Sequence, residues 1–172
     1  MKTTSNQFPA LLRKVLFLTL LLFAAFSSTK AQEYKSAVGL RLGYYGNFGL
    51  DYKTFINPNA AIELIAYGSL YTYYKYFDIG ALYEIQKPIS DVKGLSWYYG
   101  GGAFVGLYNF DTGYSGSQTS TSIQLAGVLG LEYRFANSPI TLSLDWIPSF
   151  AITGGGGFAG DGGSLAVRYI FN

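Results

Sequence analysis

The chain has no histidine and no cysteine, and only 13% of its 172 residues are charged. Without histidine the commonest general base is missing, and with it the Ser-His-Asp and Cys-His arrangements of a hydrolase. Without cysteine there is no disulfide scaffold, no thiolate metal site and no lipidated cysteine behind a signal sequence. A soluble domain ordinarily carries about a quarter charged residues, and half that share argues against a surface solvated on all sides. No Gly-x-Ser-x-Gly elbow occurs. Gly100-Gly101-Gly102 lies inside an alternating segment, and Gly154-Gly155-Gly156-Gly157 lacks the Lys-Ser/Thr of a phosphate loop. Metal-ligand spacing, nucleic-acid motifs and helical periodicity are likewise missing. The sequence therefore assigns no catalytic, cofactor-binding or metal residue, and we expect a protein that is not an enzyme and uses no cofactor.

What is there begins with a targeting segment. Lys2, Arg13 and Lys14 precede an apolar run over 15–26, followed by Ser27-Ser28-Thr29-Lys30-Ala31. A basic start, an apolar stretch of about a dozen residues and a small-residue Thr29-x-Ala31 site are the parts of a secretory signal peptide, and the run is short for a membrane span. We expect residues 1–31 to be removed and 32–172 to form one domain. Cleavage takes Lys2, Arg13, Lys14 and Lys30 out of 12 basic residues against 10 acidic ones, so the mature chain is slightly acidic. The basic balance of the whole chain then gives no support for nucleic-acid binding.

The mature part is rich in aromatics and glycine, and its apolar residues fall at every second position, the period of a strand. Eight such segments are expected: 36–45, 48–56, 60–70, 75–86, 95–108, 122–135, 140–150 and 163–171. Tight turns fall near Asn47, Asn57-Pro58-Asn59 and Ala136-Asn137-Ser138-Pro139, with a longer connection over 87–94. Two loops stand out by length, 109–121 and 151–162. Strands of about ten tilted residues suit the hydrocarbon layer of a membrane. The fold class expected is all-β: an eight-stranded antiparallel up-and-down transmembrane barrel.

The two faces of these strands differ in a way that selects lipid over water. The larger face is aliphatic and aromatic, with Tyr44, Tyr83, Trp97, Tyr133 and Tyr169 placed as headgroup-level girdles. The other face carries the charges among glycines: Arg41, Asp51, Lys53, Glu63, Asp78, Glu84, Glu132, Arg134, Asp145 and Arg168. An eight-stranded barrel is just wide enough for side chains to fill, so this set is expected to form an ion-paired plug. Glu63, Glu84 and Glu132 could instead act as an acid/base pair or hold a cation, but each has a basic residue on its own face.

The segmentation resembles the small eight-stranded outer-membrane β-barrel proteins of the OmpX/OmpA-barrel type across essentially the whole mature chain. The Ala31-Gln32 junction and the tail from Leu144-Asp145-Trp146-Ile147-Pro148 through Gly160-Asp161-Gly162-Gly163 to Arg168-Tyr169-Ile170-Phe171 look like those of Bacteroidota barrels. The resemblance implies residence in the bacterial outer membrane, contact with its lipid, insertion by the outer-membrane assembly machinery, and a monomer.

The expected role is non-enzymatic, in envelope structure or in surface interaction through loops 109–121 and 151–162. Phe110 and Tyr114 are the candidate anchors for a surface ligand of unknown identity. Two other readings remain: a narrow channel for small solutes, and a lipid-modifying enzyme, which the absent histidine disfavours.

Overall fold

The computed structural model describes residues 34–43, 47–69, 75–111, 117–154 and 157–171; the expected signal peptide lies outside them. Ten strands follow one another: β1 (Ser36–Gly43), β2 (Asn47–Asn57), β3 (Ala60–Ser69), β4 (Lys75–Pro88), β5 (Leu95–Asp111), β6 (Ser117–Arg134), β7 (Ile140–Trp146), β8 (Ser149–Ala151), β9 (Phe158–Ala159) and β10 (Gly163–Phe171). All pair antiparallel. Sequential neighbours join from β1 to β7, β10 bridges β7 and β1, and the β5–β6 pairing completes the ring. Eight long staves thus close on themselves, which leaves no stave with an open edge along the wall.

Register fixes the shape. The paired residues Lys87, Trp97, Leu131, Leu144, Leu165, Leu42, Phe48, Gly68 and Phe77 lead once round the wall. The path returns to β4 ten residues from where it left. A stagger of that size over eight staves inclines them by roughly 40–45° to the barrel axis.

Side-chain direction follows the sequence alternation. In β7 and β10 every second residue is buried and its neighbours are exposed. Outward positions such as Leu40, Leu50, Ile79, Leu125, Leu144 and Val167 are apolar and exposed, and every stave carries such residues, a belt that soluble monomers rarely present. Trp97 and Tyr99, stacked at 5.2 Å, stand with Tyr83, Tyr133, Phe135, Tyr169 and Phe171 toward the end where the chain enters and leaves, here called the lower end. Tyr44 lies outside the described residues. Among the described residues no helix is long and apolar enough to cross a membrane.

Three boundaries differ from the sequence expectation. Most of 109–121 is not loop: β5 continues to Asp111 and β6 begins at Ser117, paired without a register shift up to Asp111↔Ser117. Likewise 151–162 shrinks, because β8 and β9 form a short ribbon continuing the β7–β10 hairpin upward. β8 keeps to the line that β7 follows along β6. The strand is interrupted only at Ile147-Pro148, where the proline has no N–H to give but its carbonyl accepts from Gly127 N at 2.9 Å. At the lower end β4 runs through Pro88, so the connection is 89–94 rather than 87–94. It closes on Gly94, whose φ of 85° suits glycine and whose carbonyl accepts from Arg134 N at 2.8 Å.

Candidate functional site

The inward face brings eight charged side chains into one buried cluster: Arg41, Asp51, Lys53, Glu63, Glu84, Glu132, Asp145 and Arg168. Alternation places them there. Arg41 (β1), Asp51 (β2) and Arg168 (β10) come from adjacent staves, so both guanidinium groups reach the same carboxylate. Arg41 donates through Nε to Asp51 Oδ2 at 2.7 Å, through Nη1 to both oxygens of Asp145 at 2.7 and 2.8 Å, and through Nη2 to Glu63 Oε1 at 2.8 Å. Arg168 donates to both oxygens of Asp51 at 2.5 and 3.0 Å, to Glu132 Oε2 at 3.1 Å, to Ser143 Oγ at 3.0 Å and to Glu63 Oε1. Planar forks serving several carboxylates at once are the arrangement arginine is suited to.

Lys53 completes the cluster below. Its Nζ lies 2.8 Å from Glu84 Oε2 and 3.5 Å from Glu132 Oε2, and 4.2 Å from the centre of the Tyr98 ring. Neutral groups take up much of the remaining capacity: Tyr98 Oη donates to Asp145 at 2.5 Å, Gln86 Nε2 to Glu132 at 3.0 Å, and Tyr34 Oη to Glu132 at 3.0 Å. The long side chains fit because glycines face them. A Cβ at Gly39 would meet Arg168 Cγ at 2.8 Å, and one at Gly130 would meet Tyr98 Cζ at 2.5 Å.

Two apolar groups hold this cluster in place. Ile65, Leu82, Tyr98, Phe104, Ala126, Val128 and Ile147 pack inside the barrel on the β3 to β7 side. At the lower end Tyr34, Ala37, Phe55, Ala61 and Ile170 close the mouth, Tyr34 meeting Phe55 edge to face at 5.1 Å.

The other two charges expected inside stand apart from the eight. Asp78 is higher, half-buried, with Tyr108 Oη at 3.4 Å. Arg134 stands half-exposed at the lower end of β6. Asp78 lines a vestibule of about 150 Å³ at the upper end, with Gly43, Asn47, Tyr67, Tyr76, Phe104, Gln124, Ile147, Ser149, Asp161, Gly162 and Gly163. Of the two surface anchors, Phe110 falls within β5, opposite Gln118, and Tyr114 lies outside the described residues.

No protein-family model matches the chain, and no curated protein matches it in sequence. Among solved structures it is similar to the N-terminal β-barrel domain of Pseudomonas aeruginosa OprF, with a TM-score of 0.64 and 12% identity over 81% of this chain and 100% of that one. Neisserial surface protein A gives a TM-score of 0.53 and 17% identity over 79% and 93% of the two chains. Ail, the attachment invasion locus protein of Yersinia pestis, gives 0.51 and 15% over 79% and 96%. The fold is that of a small outer-membrane β-barrel. At these identities the likeness is one of architecture, and function has to be argued from this barrel's own residues.

Chemically, the interior of the barrel is dominated by charge pairing. Its buried serines, Ser36, Ser96, Ser122, Ser143 and Ser164, have no histidine to activate them. Among the described residues no group of three or more acidic side chains is arranged to hold a metal ion. Sequence reasoning picked out the charges but not Tyr34, Gln86 or Tyr98, which satisfy them. Gln86 and Tyr98 could have been found, since Gln86 shares the inward parity of Glu84 and Tyr98 lies on the face opposite to Trp97.

Proposed function

We propose that the protein is an exported, non-enzymatic outer-membrane barrel with a plugged, ion-paired interior, serving in envelope structure or surface interaction. The observation that carries this reading is the division of faces: a continuous apolar belt outside a closed sheet, and a buried charge cluster inside. Closure lets every wall N–H and C=O find a partner in lipid, and the outward belt has lipid as its natural solvent. The architectural likeness to barrels of the outer membrane supports the location.

In this reading residues 1–31 are the export signal, the barrel is a monomer of Bacteroidota type inserted by the assembly machinery, and the lower end faces the periplasm. The short turns at 58–59, 89–94 and 135–139 lie at that end. The β5–β6 ribbon is the longest hairpin and rises past the last β4 and β8 pairings at the other. It is the part best placed for a surface partner, which supports the surface-interaction role.

Two measurements test the proposal. The folded barrel should migrate faster than the boiled chain on a detergent gel, and planar bilayers containing it should show no steady ion conductance. A chain that stays monomeric and soluble without detergent would end the membrane reading. Sustained conductance would replace the plug with the narrow channel.

A further inference from the structure

We infer that the upper vestibule is a binding site for a small organic ammonium ion. Of the described residues lining it, Asp78 and Asp161 are acidic and none is basic. Among the described residues Asp78 has no cationic partner, and its hydrogen bond from Tyr108 is a long one at 3.4 Å. The charge beneath has the same sign. The buried cluster sets the carboxylates of Asp51, Glu63, Glu84, Glu132 and Asp145 against three cations, Arg41, Lys53 and Arg168. Each of those cations already faces two or more carboxylates. The nearest of them, Arg41, is also held by Ser164 Oγ at 2.8 Å. A recess with low-dielectric walls and surplus negative charge below it concentrates cations.

The walls select an organic cation over a metal ion. Tyr67 stacks on Phe104 with centroids 6.3 Å apart, and Tyr76 on Tyr108 at 5.9 Å. Aromatic faces attract ammonium groups and their alkyl substituents, whereas a hard metal ion needs more oxygen ligands than two carboxylates provide, and among the described residues no group of three or more acidic side chains is placed to hold one. At about 150 Å³ the vestibule matches a cavity known to admit a molecule the size of benzene, so an ammonium ion with about four to six heavy atoms fits. The site does not depend on whether the upper ribbon binds a surface partner.

The test uses protein purified from bacterial membranes, folded in detergent and checked by its heat-dependent gel shift. n-Butylammonium chloride is titrated while the backbone amide resonances of Gly43, Asn47, Gln124 and Gly163 are followed. 1-Butanol, sodium butanoate and sodium chloride of equal ionic strength are the comparisons. Expected are saturable shifts confined to the vestibule, given by the ammonium salt alone. Asp78→Asn should weaken the apparent affinity about tenfold, which corresponds to about 1.4 kcal/mol. Asp161→Asn, at an exposed position whose loss leaves the barrel intact, should weaken it by a smaller factor and serves as the second variant if Asp78→Asn does not fold. An equal response to 1-butanol, shifts that never saturate, or unchanged affinity in the folded variants would overturn the site. A folded barrel with none of these responses would do the same and leave the proposed function standing.

Discussion

Lys53 and Glu84 form a direct pair at 2.8 Å, both side chains with no exposure, yet their removal should have very unequal costs. Replacing Lys53 by methionine keeps the length and most of the volume but takes one of three cations from a cluster that already holds five carboxylates. Glu84 then faces no cation, and Glu132 keeps only Arg168. Breaking a buried pair in this way typically costs about 3–5 kcal/mol, because the surviving charge stays desolvated without a partner. Glu84→Gln removes charge of the sign in surplus, keeps the shape, and leaves Lys53 the carboxylate of Glu132. Its cost should lie within about 1 kcal/mol, the net worth of one ordinary hydrogen bond. The double variant should recover part of the Lys53→Met loss, with a coupling of about 1–3 kcal/mol.

Urea unfolding of the detergent-folded barrel gives these values. Trp97 near the lower end and Trp146 near the upper one report the transition by fluorescence, and the gel shift gives the folded fraction independently. The reasoning from charge surplus is refuted if Glu84→Gln costs as much as Lys53→Met, or if the two effects simply add.

Other positions test the wall and its lining. Gly130→Val would drive a methyl group into Tyr98 and Asp145, where the space is already filled, and should cost about 1–3 kcal/mol in the same unfolding assay. Leu40→Arg places a charge midway along the lipid face between Leu50 and Val167 and should cost about 2–4 kcal/mol in lipid vesicles. Phe158→Arg, on the ribbon above the belt and 72% exposed, should change stability by no more than about 0.5 kcal/mol. Equal costs for these two arginines would contradict the placement of the belt.

The lipid-facing half of the fold was legible because one solvent imposes one rule: Leu165, Val167, Tyr169 and Phe171 alternate with Ser164, Ala166, Arg168 and Ile170 over the full length of β10. Where the strands leave that solvent the rule lapses. Ser117 to Thr121 carry no apolar residue that could alternate, so Ser-Gln-Thr-Ser-Thr reads as loop while its backbone pairs as strand. The charges of the site were legible as inward residues, but alternation gives direction and not height. It could not separate Asp78 in the vestibule from Asp51 in the cluster, nor place Tyr34, which precedes β1 and reaches Glu132 from outside any strand.

The seam between β1 and β10 has a consequence for the order of assembly. Every other pairing in the wall links segments near in sequence, but Ser36 pairs with Phe171 across almost the full span of the described residues, so this contact carries the largest loop-closure cost and should form last. The strand that closes the seam also carries Arg168, the counter-ion of Asp51, Glu63 and Glu132, whose stave neighbours would otherwise stand with only Arg41 and Lys53 between them. A chain stopped short of its final stave would therefore be both unsealed at its edge and unneutralised at its centre. Closure of the sheet and neutralisation of its interior therefore depend on the same strand.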